Sequence, residues 1–231
     1  MQSAVARITQ WMAARQPARV VTLGAEMVML AKREPGYREV INAADLVVAD
    51  TVGILLAARA LKTPLPQRVP GIEMLEELCA VCAARGWPVY LLGARGDTAA
   101  KAAAALASRH RGLRIAGTHH GYFTLDSQSA VIERIKQSGA RLVLVALGFP
   151  RQEFWTRAHC AQLGGAVCIG VGGSFDVLAG RIKRAPHLLR RAGLEWFYRL
   201  VREPRRLRRQ LVLPQFAMQV AAQALRRPRS S

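Results

Sequence analysis

The sequence has few cysteines, few acidic residues and no long apolar run, and each of these scarcities excludes a class of protein. Four cysteines in 231 residues are too few for a disulfide framework. No stretch approaches the ~20 uninterrupted apolar residues that cross a bilayer. The N-terminus also lacks the basic start and apolar run of a secretory signal. We therefore expect a reduced, cytoplasmic protein without a spanning helix.

Two of the cysteines, Cys79 and Cys82, form a C-x-x-C pair inside the apparent helix GIEMLEELCAVCAARG. Zinc binding and redox chemistry both use such pairs, but no second closely spaced ligand pair accompanies this one. Burial as small apolar side chains is therefore the favoured interpretation.

Acidic residues are scarce beside basic ones. The chain has 34 Lys or Arg against 15 Asp or Glu, which gives a net charge of +19 and a pI near 11.4. Residues 181–231 alone hold 14 basic residues against Glu195 and Glu203. Such an excess predicts an anionic partner, which can be nucleic acid, an acidic membrane surface or a phosphorylated substrate. The charge alone does not choose among the three.

Short apolar runs alternate with longer helical patterns through most of the sequence, which is 51% hydrophobic. Uninterrupted apolar strands are typical of parallel sheets covered on both faces. The alternation therefore predicts an α/β fold, with a Rossmann-like, mainly parallel sheet flanked by helices. The predicted strands cover residues 19–23, 46–49, 89–92, 114–117, 142–146 and 166–170. The predicted helices cover residues 26–33, 52–61, 71–85, 97–110, 127–138 and 150–162.

The pattern changes near the C-terminus, which divides the chain into an α/β domain over residues 1–190 and a basic, helical C-terminal appendage over residues 191–231. Leu200, Leu207 and Leu211 form one helical stripe, with arginines crowded on the other faces. An ordinary C-terminal helix packed on the core would show the same stripe. The density of arginine favours contact with an anionic membrane surface.

Polar residues and glycines stand where the predicted strands end, which is where open parallel sheets bind ligands. Thr22 and Gly24 follow the first strand, Asp50 follows the second, and Gln152 lies at the start of the helix after the fifth. Structural roles are open for two of them: Asp50 as the N-cap of the next helix, and Gln152 as a partner for backbone groups. The G-A-R-G turn after the third strand is not G-x-G-x-x-G, so a nicotinamide cofactor has little support.

The sequence contains no D-x-D, the carboxylate pair that commonly holds a divalent metal on a nucleotide-sugar diphosphate. If a diphosphate leaves during a reaction, arginines and helix N-termini must stabilise its charge instead. We therefore predict a site that uses no metal and no other cofactor.

Nine blocks of the sequence carry a family resemblance. They are VTLGAEM, ADTVG, RVPGIEM, YLLGARG, GYF, LVLVALGFPRQE, IGVGGSFDVLAG, KRAP and GLEWFYRLVREPRRLRR. Together they resemble the WecG/TagA/CpsF family of bacterial glycosyltransferases, which is glycosyltransferase family 26. The resemblance runs from about residue 20 to residue 209 and covers most of the chain.

The resemblance implies inverting, metal-independent transfer of an N-acetylmannosamine-type sugar from a UDP-sugar to an undecaprenyl-diphosphate-linked N-acetylglucosamine acceptor. Such reactions belong to the synthesis of teichoic acid, common antigen or exopolysaccharide. The resemblance also implies that residues 1–190 are catalytic and that the protein is peripheral on the inner face of the plasma membrane. A homo-oligomer stays open, and no nucleic-acid partner is expected. The alternative, prompted by charge alone, is a basic nucleic-acid-binding protein.

The resemblance assigns roles to four residues of the α/β domain. Asp50 matches the proposed general base, which takes the proton from the attacking acceptor hydroxyl. Thr22 and Gln152 match residues that line the pocket. Arg68 matches an arginine that can hold a phosphate through two parallel hydrogen bonds.

Three arginines of the appendage match the family's C-terminal pattern, E-W-x-x-R followed by P-x-R-x-x-R. They are Arg199, Arg206 and Arg209, and their spacing would place them near one face of a helix, although Pro204 stands among them. The resemblance implies that they bind the diphosphate together.

The sequence departs from the family pattern at two positions beside the candidate site. Gly24 stands where the family usually has Asn, and Thr51 stands where it usually has Gly. Gly24 lacks an amide that could bind the sugar or its acetamido group, so the resemblance leaves the donor sugar open.

Overall fold

The computed structural model describes residues 1–183, 185, 186, 198 and 211–226. Its strands are β1 (Ala18–Leu23), β2 (Leu46–Ala49), β3 (Val89–Gly93), β4 (Ile115–His119), β5 (Leu142–Ala146) and β6 (Val167–Gly170). They form one sheet in the order β2-β1-β6-β5-β3-β4, and every neighbouring pair is parallel. The predicted α/β fold is confirmed, and each predicted strand is present with its ends shifted by two residues or fewer.

Helices connect and cover these strands. They are α1 (Gln2–Ala14), α2 (Ala25–Arg33), α3 (Pro35–Asn42), α4 (Val52–Ala60), α5 (Gly71–Arg85), α6 (Thr98–Arg109), α7 (Leu125–Gln137), α8 (Arg151–His159), α9 (Ser174–Leu178) and α10 (Val212–Arg226). Five of the six predicted helices have ends within two residues of the prediction. The sixth stops at His159 and continues as a 3-10 turn, and the sequence analysis missed α1, α3 and the short α9.

Both faces of the sheet are buried, which is why the strands are apolar without alternation. On one face α1, α5, α6 and α9 pack with Leu91 and Leu144. On the other face α7 and α8 pack with Val143 and Val145. Side chains of one strand therefore alternate between two separate cores.

The C-x-x-C pair lies inside the first of these cores. Cys79 and Cys82 are free thiols with no exposed surface. Burial raises the pKa of Cys82 to about 12, so its thiol stays protonated at neutral pH. Both residues therefore pack as small apolar side chains.

The chain leaves β1 and β6 on opposite faces of the sheet. Met27 of α2, which follows β1, packs with Val21 and Tyr37. Phe175 of α9, which follows β6, lies in the core shared with α1 and α5. Where two neighbouring strands diverge in this way, a crevice opens beyond their carboxyl ends. The crevice between β1 and β6 is therefore the place to expect a ligand.

The C-terminal helix α10 packs on the outer side of α2 and α4. Phe216 is buried in a small cluster with Met29 and Ile54. Lys32 donates a 2.8 Å hydrogen bond to Gln219 at the edge of this contact. The only charged residue of α10 is Arg226, and the basic part of the predicted appendage before α10 lies outside the described residues. Within the described part of the chain, no helix combines the length and apolar character needed to cross a membrane.

Candidate active site

Thr22 connects the two strands that border the crevice. Its side chain is half-buried near the end of β1. Its hydroxyl donates a 2.9 Å hydrogen bond to the carbonyl of Gly170, the last residue of β6. The predicted pocket residue therefore lies on the floor of the crevice, where it holds the two strand ends together.

Asp50 lies directly after β2, at the same edge of the sheet. Its amide donates to the carbonyl of Leu23 at 3.0 Å, and its Oδ1 accepts a 2.7 Å hydrogen bond from the amide of Gly71. Gly71 is the first residue of α5, and a helix N-terminus favours a negative charge. The N-cap of α4 is Thr51, so the structural role foreseen for Asp50 at that helix is wrong. The carboxylate is instead held against α5, half-buried beside the crevice.

The start of α5 lies very close to Thr22. A Cβ atom on Gly71 would be 3.1 Å from Cγ2 of Thr22, which is tighter than ordinary van der Waals contact. Glycine at the first position of α5 therefore allows the amide that binds Asp50 to approach the floor of the crevice.

Arg68 lies in the segment that leads into α5. The amide of the next residue, Val69, donates to the carbonyl of Ala49 at 2.8 Å, which holds this segment against the end of β2. Arg68 itself is half-buried. The structure thus brings a cation to the strand end that also carries Asp50.

Gln152 lies beneath the end of β6, and its amide is engaged by the protein. Its Oε1 accepts a 3.2 Å hydrogen bond from the amide of Gly172, and its Nε2 donates to Oε1 of Glu153 at 2.7 Å. The side chain is 4% exposed. Gln152 was predicted either to line the pocket or to bind backbone groups. The structure shows that it binds a backbone amide. Thr22 and Gln152 therefore hold the same strand end from two sides.

Glu153 and Tyr37 extend this arrangement into the core, and the sequence analysis missed both. The hydroxyl of Tyr37 donates a 3.2 Å hydrogen bond to Oε2 of Glu153. Burial raises the pKa of the Glu153 carboxyl and, together with the negative charge of Glu153, the pKa of Tyr37. The structure shows Glu153 on the buried side of α8, together with Trp155 and Thr156. An acidic residue on the same side of a helix as a tryptophan was the signal available in the sequence.

The two departures from the family pattern are neighbours in space. A Cβ atom on Gly24 would lie 3.6 Å from Cγ2 of Thr51. The hydroxyl of Thr51 is buried and has no hydrogen-bond partner among the described residues. The methyl group of Thr51 therefore borders the space where a larger side chain at position 24 would begin.

A second group of cations and rings follows β3 and β4 at the same edge of the sheet. The guanidinium carbon of Arg95 lies 5.5 Å from the centre of the Tyr122 ring, and Tyr122 is 64% exposed. Arg151 lies over Phe123 and donates to the carbonyl of Gly121 at 2.8 Å. An exposed ring beside guanidinium groups is suited to a nucleotide. These residues lie in the blocks YLLGARG, GYF and LVLVALGFPRQE that carry the family resemblance, but the sequence assigned none of them a role in the site.

The other three predicted site residues are arginines of the appendage. Arg199, Arg206 and Arg209 lie outside the described residues. Among the described residues, no three His, Cys, Asp or Glu side chains form a group that could hold a metal ion.

These features define a class of protein. A parallel α/β sheet whose carboxyl edge carries a half-buried carboxylate and several cations is suited to an enzyme that binds an anionic ligand beyond its strand ends. Comparison with known proteins gives the family. Residues 1–230 match the glycosyl transferase WecG/TagA/CpsF family, and the chain belongs to it. The resemblance found in the sequence is thereby confirmed.

Two relatives of this chain share one name. Both are N-acetylglucosaminyldiphosphoundecaprenol N-acetyl-beta-D-mannosaminyltransferases of Staphylococcus aureus, from strains MW2 and MRSA252. They are 38% and 37% identical to this chain over 202 residues, which are 87% of this chain and 79% of each relative. The protein is therefore a glycosyltransferase, and the nucleic-acid-binding alternative loses its support.

Proposed function

We propose that the protein transfers an N-acetylmannosamine-type sugar from a UDP-sugar to an undecaprenyl-diphosphate-linked N-acetylglucosamine, with inversion at the anomeric carbon. The observation that carries the proposal is the carboxylate of Asp50, held at the crevice by the amide of Gly71. The names of the Staphylococcus aureus relatives supply the acceptor and the sugar.

In this reaction Asp50 is the general base. Its carboxylate takes the proton of the acceptor hydroxyl while the hydroxyl oxygen forms a bond to the anomeric carbon of the donor. The bond between that carbon and the phosphate oxygen breaks on the opposite side, and UDP leaves with the electron pair. The bond from Gly71 fixes the orientation of the carboxylate, so the base is already placed when the acceptor arrives.

Arginines take the place of a metal in this proposal. Arg68 lies at the strand end that carries Asp50, where a guanidinium can stabilise the charge on the leaving diphosphate. Arg95 and Tyr122 lie further along the same edge and suit the nucleotide. The family pattern adds Arg199, Arg206 and Arg209 as further diphosphate ligands.

The acceptor also gives the proposal a location. A polyprenyl diphosphate is anchored in a membrane, and the net charge of +19 suits an acidic membrane surface. We therefore place the protein on the inner face of the plasma membrane, as a peripheral enzyme of teichoic acid, common antigen or exopolysaccharide synthesis.

Release of UDP from a panel of UDP-sugars, with a lipid-diphosphate-linked N-acetylglucosamine as acceptor, tests the proposal. We expect Asp50→Asn to lower kcat by about 100-fold or more, since general bases contribute about 10²- to 10⁴-fold.

Asp45→Asn is the matched control. Asp45 also accepts a backbone amide at 2.7 Å, from Arg19, but it lies at the opposite edge of the sheet. We expect its kcat to stay within about twofold of the wild type, because open α/β sheets bind their ligands beyond the carboxyl ends of the strands. Equal losses in the two variants would contradict a catalytic role for Asp50.

A further inference from the structure

The side chains of Tyr37, Glu153 and Gln152 form a continuous chain of hydrogen bonds that ends at the crevice. It runs from the Tyr37 hydroxyl to the Glu153 carboxylate, then to the Gln152 amide and the backbone amide of Gly172. The three side chains are 0%, 2% and 4% exposed. The general base described above does not use any of them.

The chemistry of these groups fixes the direction of every bond. An ionised carboxylate can only accept hydrogen bonds, and a backbone amide can only donate one. Glu153 therefore draws the Nε2 side of Gln152 toward itself, and Gly172 draws the Oε1 side. The Gln152 amide has one orientation that satisfies both partners.

The bond to Gly172 connects this chain of residues to the floor of the crevice. Gly172 follows β6 and has a φ of 48°, in the left-handed region that favours glycine. Two residues earlier, the carbonyl of Gly170 accepts the hydrogen bond from the Thr22 hydroxyl. A Cβ atom on Gly170 would lie 2.8 Å from Nε2 of Gln152, so the amide lies directly against the strand end.

We propose that Glu153 is a positioning residue for sugar transfer, which orients Gln152 and thereby holds the turn after β6 where the donor sugar binds. Tyr37 keeps the Glu153 carboxylate in place. The proposal rests on the proposed function, because it gives this chain of residues a role in the same reaction.

If Glu153 served only stability, Glu153→Gln would lower Tm and kcat together. A positioning residue can instead lose kcat without a loss of Tm. Burial raises the pKa of the Glu153 carboxyl above its ordinary value of 4.5. Ionising this carboxyl in the folded state therefore costs stability as the pH rises above 4.5. The titratable group that faces the Glu153 carboxyl from α3 is the hydroxyl of Tyr37. Glu153→Gln removes this charge and keeps the shape of the side chain. We expect its Tm at pH 7 to equal or exceed that of the wild type, with the difference shrinking toward pH 4.

Activity is expected to change in the other direction. A neutral amide at position 153 can donate as well as accept, so Gln152 loses its single orientation. Glu153→Gln should lower kcat about tenfold or more, because small displacements of a site cost up to about 100-fold in rate. The KM for the UDP-sugar should stay within about threefold. Tyr37→Phe should lower kcat by a smaller factor, and the double variant should be no slower than Glu153→Gln alone.

Thr156→Val is the matched control. Thr156 is a buried polar residue of the same helix, and its hydroxyl bonds to the carbonyl of Glu153 rather than to Gln152. We expect kcat to stay near the wild-type value in this variant. A loss as large as that of Glu153→Gln would overturn the proposal.

Amide hydrogen exchange at Gly172, followed by NMR, gives a readout that needs no substrate. Exchange at Gly172 should be about three- to tenfold faster in Glu153→Gln, and unchanged in Thr156→Val. Unchanged exchange in Glu153→Gln, or an unchanged kcat, would overturn the proposal. If the wild type releases no UDP from any donor, the proposed function fails, and the exchange data still decide whether Glu153 holds the turn.

Discussion

At the scale of single residues, the crevice is built from side chains that bind backbone. Thr22 binds a strand carbonyl, Asp50 binds a helix amide, and Gln152 binds the turn after β6. Each of these bonds joins elements that are distant in sequence. The conformation of the site therefore depends on where the strands end and the helices begin. Small shifts of the backbone should lower the rate of the reaction.

Gly71 allows a direct test of this dependence. In Gly71→Ala the new Cβ would lie 3.1 Å from Cγ2 of Thr22, so Thr22 or the start of α5 must shift. We expect a loss of about 1–2 kcal/mol in the free energy of unfolding, typical of overpacking, and a lower kcat. Urea denaturation and UDP release measure the two effects.

Gly36→Ala provides the comparison for that variant. Gly36 also lies in the first turn of a helix, α3, but a Cβ atom there would meet nothing within 4 Å. We expect unchanged activity and a gain of about 0.4–1 kcal/mol, because alanine restricts the unfolded chain. Similar destabilisation in both variants would show that the contact with Thr22 is unimportant.

At the scale of elements, the strands were predictable and several helices were not. The strands are short, apolar and covered on both faces, so their pattern in the sequence is simple. The helix α5 was predicted over its full length, because its apolar residues and Gly86 after it mark it clearly. The helix α3 was missed because it follows α2 after a single residue, Glu34, and begins with proline.

The packing of α10 gives a prediction at this scale. Phe216 is the buried residue of α10, whereas Met218 on the same helix is 64% exposed. We expect Phe216→Ala to release α10 from α2 and α4, at about 3 kcal/mol of packing free energy. Hydrogen exchange across residues 212–226 should rise, and residues in the central strands should keep their protection.

Met218→Ala is the control for this release. Because its side chain is mostly in solvent, we expect less than about 0.5 kcal/mol of change and unaltered exchange in α10. If exchange in α10 is the same in Phe216→Ala as in the wild type, Phe216 does not hold the helix.

At the scale of the whole molecule, the net charge of +19 has its origin mostly in the last 51 residues. Residues 181–231 hold 14 of the 34 basic residues and two of the 15 acidic ones. The proposed acceptor gives this charge a use that composition alone did not, because a lipid diphosphate at a membrane is an anionic target.

The proposed location predicts salt-dependent binding to acidic vesicles. We expect cosedimentation with vesicles that contain anionic phospholipid, little binding to vesicles of neutral phosphatidylcholine, and a steep loss of binding between about 0.05 and 0.5 M salt, because salt screens exposed charges. Equal binding to both kinds of vesicle would contradict an electrostatic attraction. Tight binding to nucleic acid without any response to UDP would revive the alternative interpretation.

The sequence by itself determined the parallel α/β fold, the strand ends that carry Thr22 and Asp50, and the family. These depend on local apolar patterns and on motifs that are contiguous in the chain. Only the tertiary structure decided that Asp50 is held by the start of α5, and that Gln152 is linked through Glu153 to Tyr37. Asp50 and Gly71 are 21 positions apart in the sequence, and Tyr37 and Glu153 are 116 positions apart. A pattern within one segment carries no information about which distant residue the segment will contact.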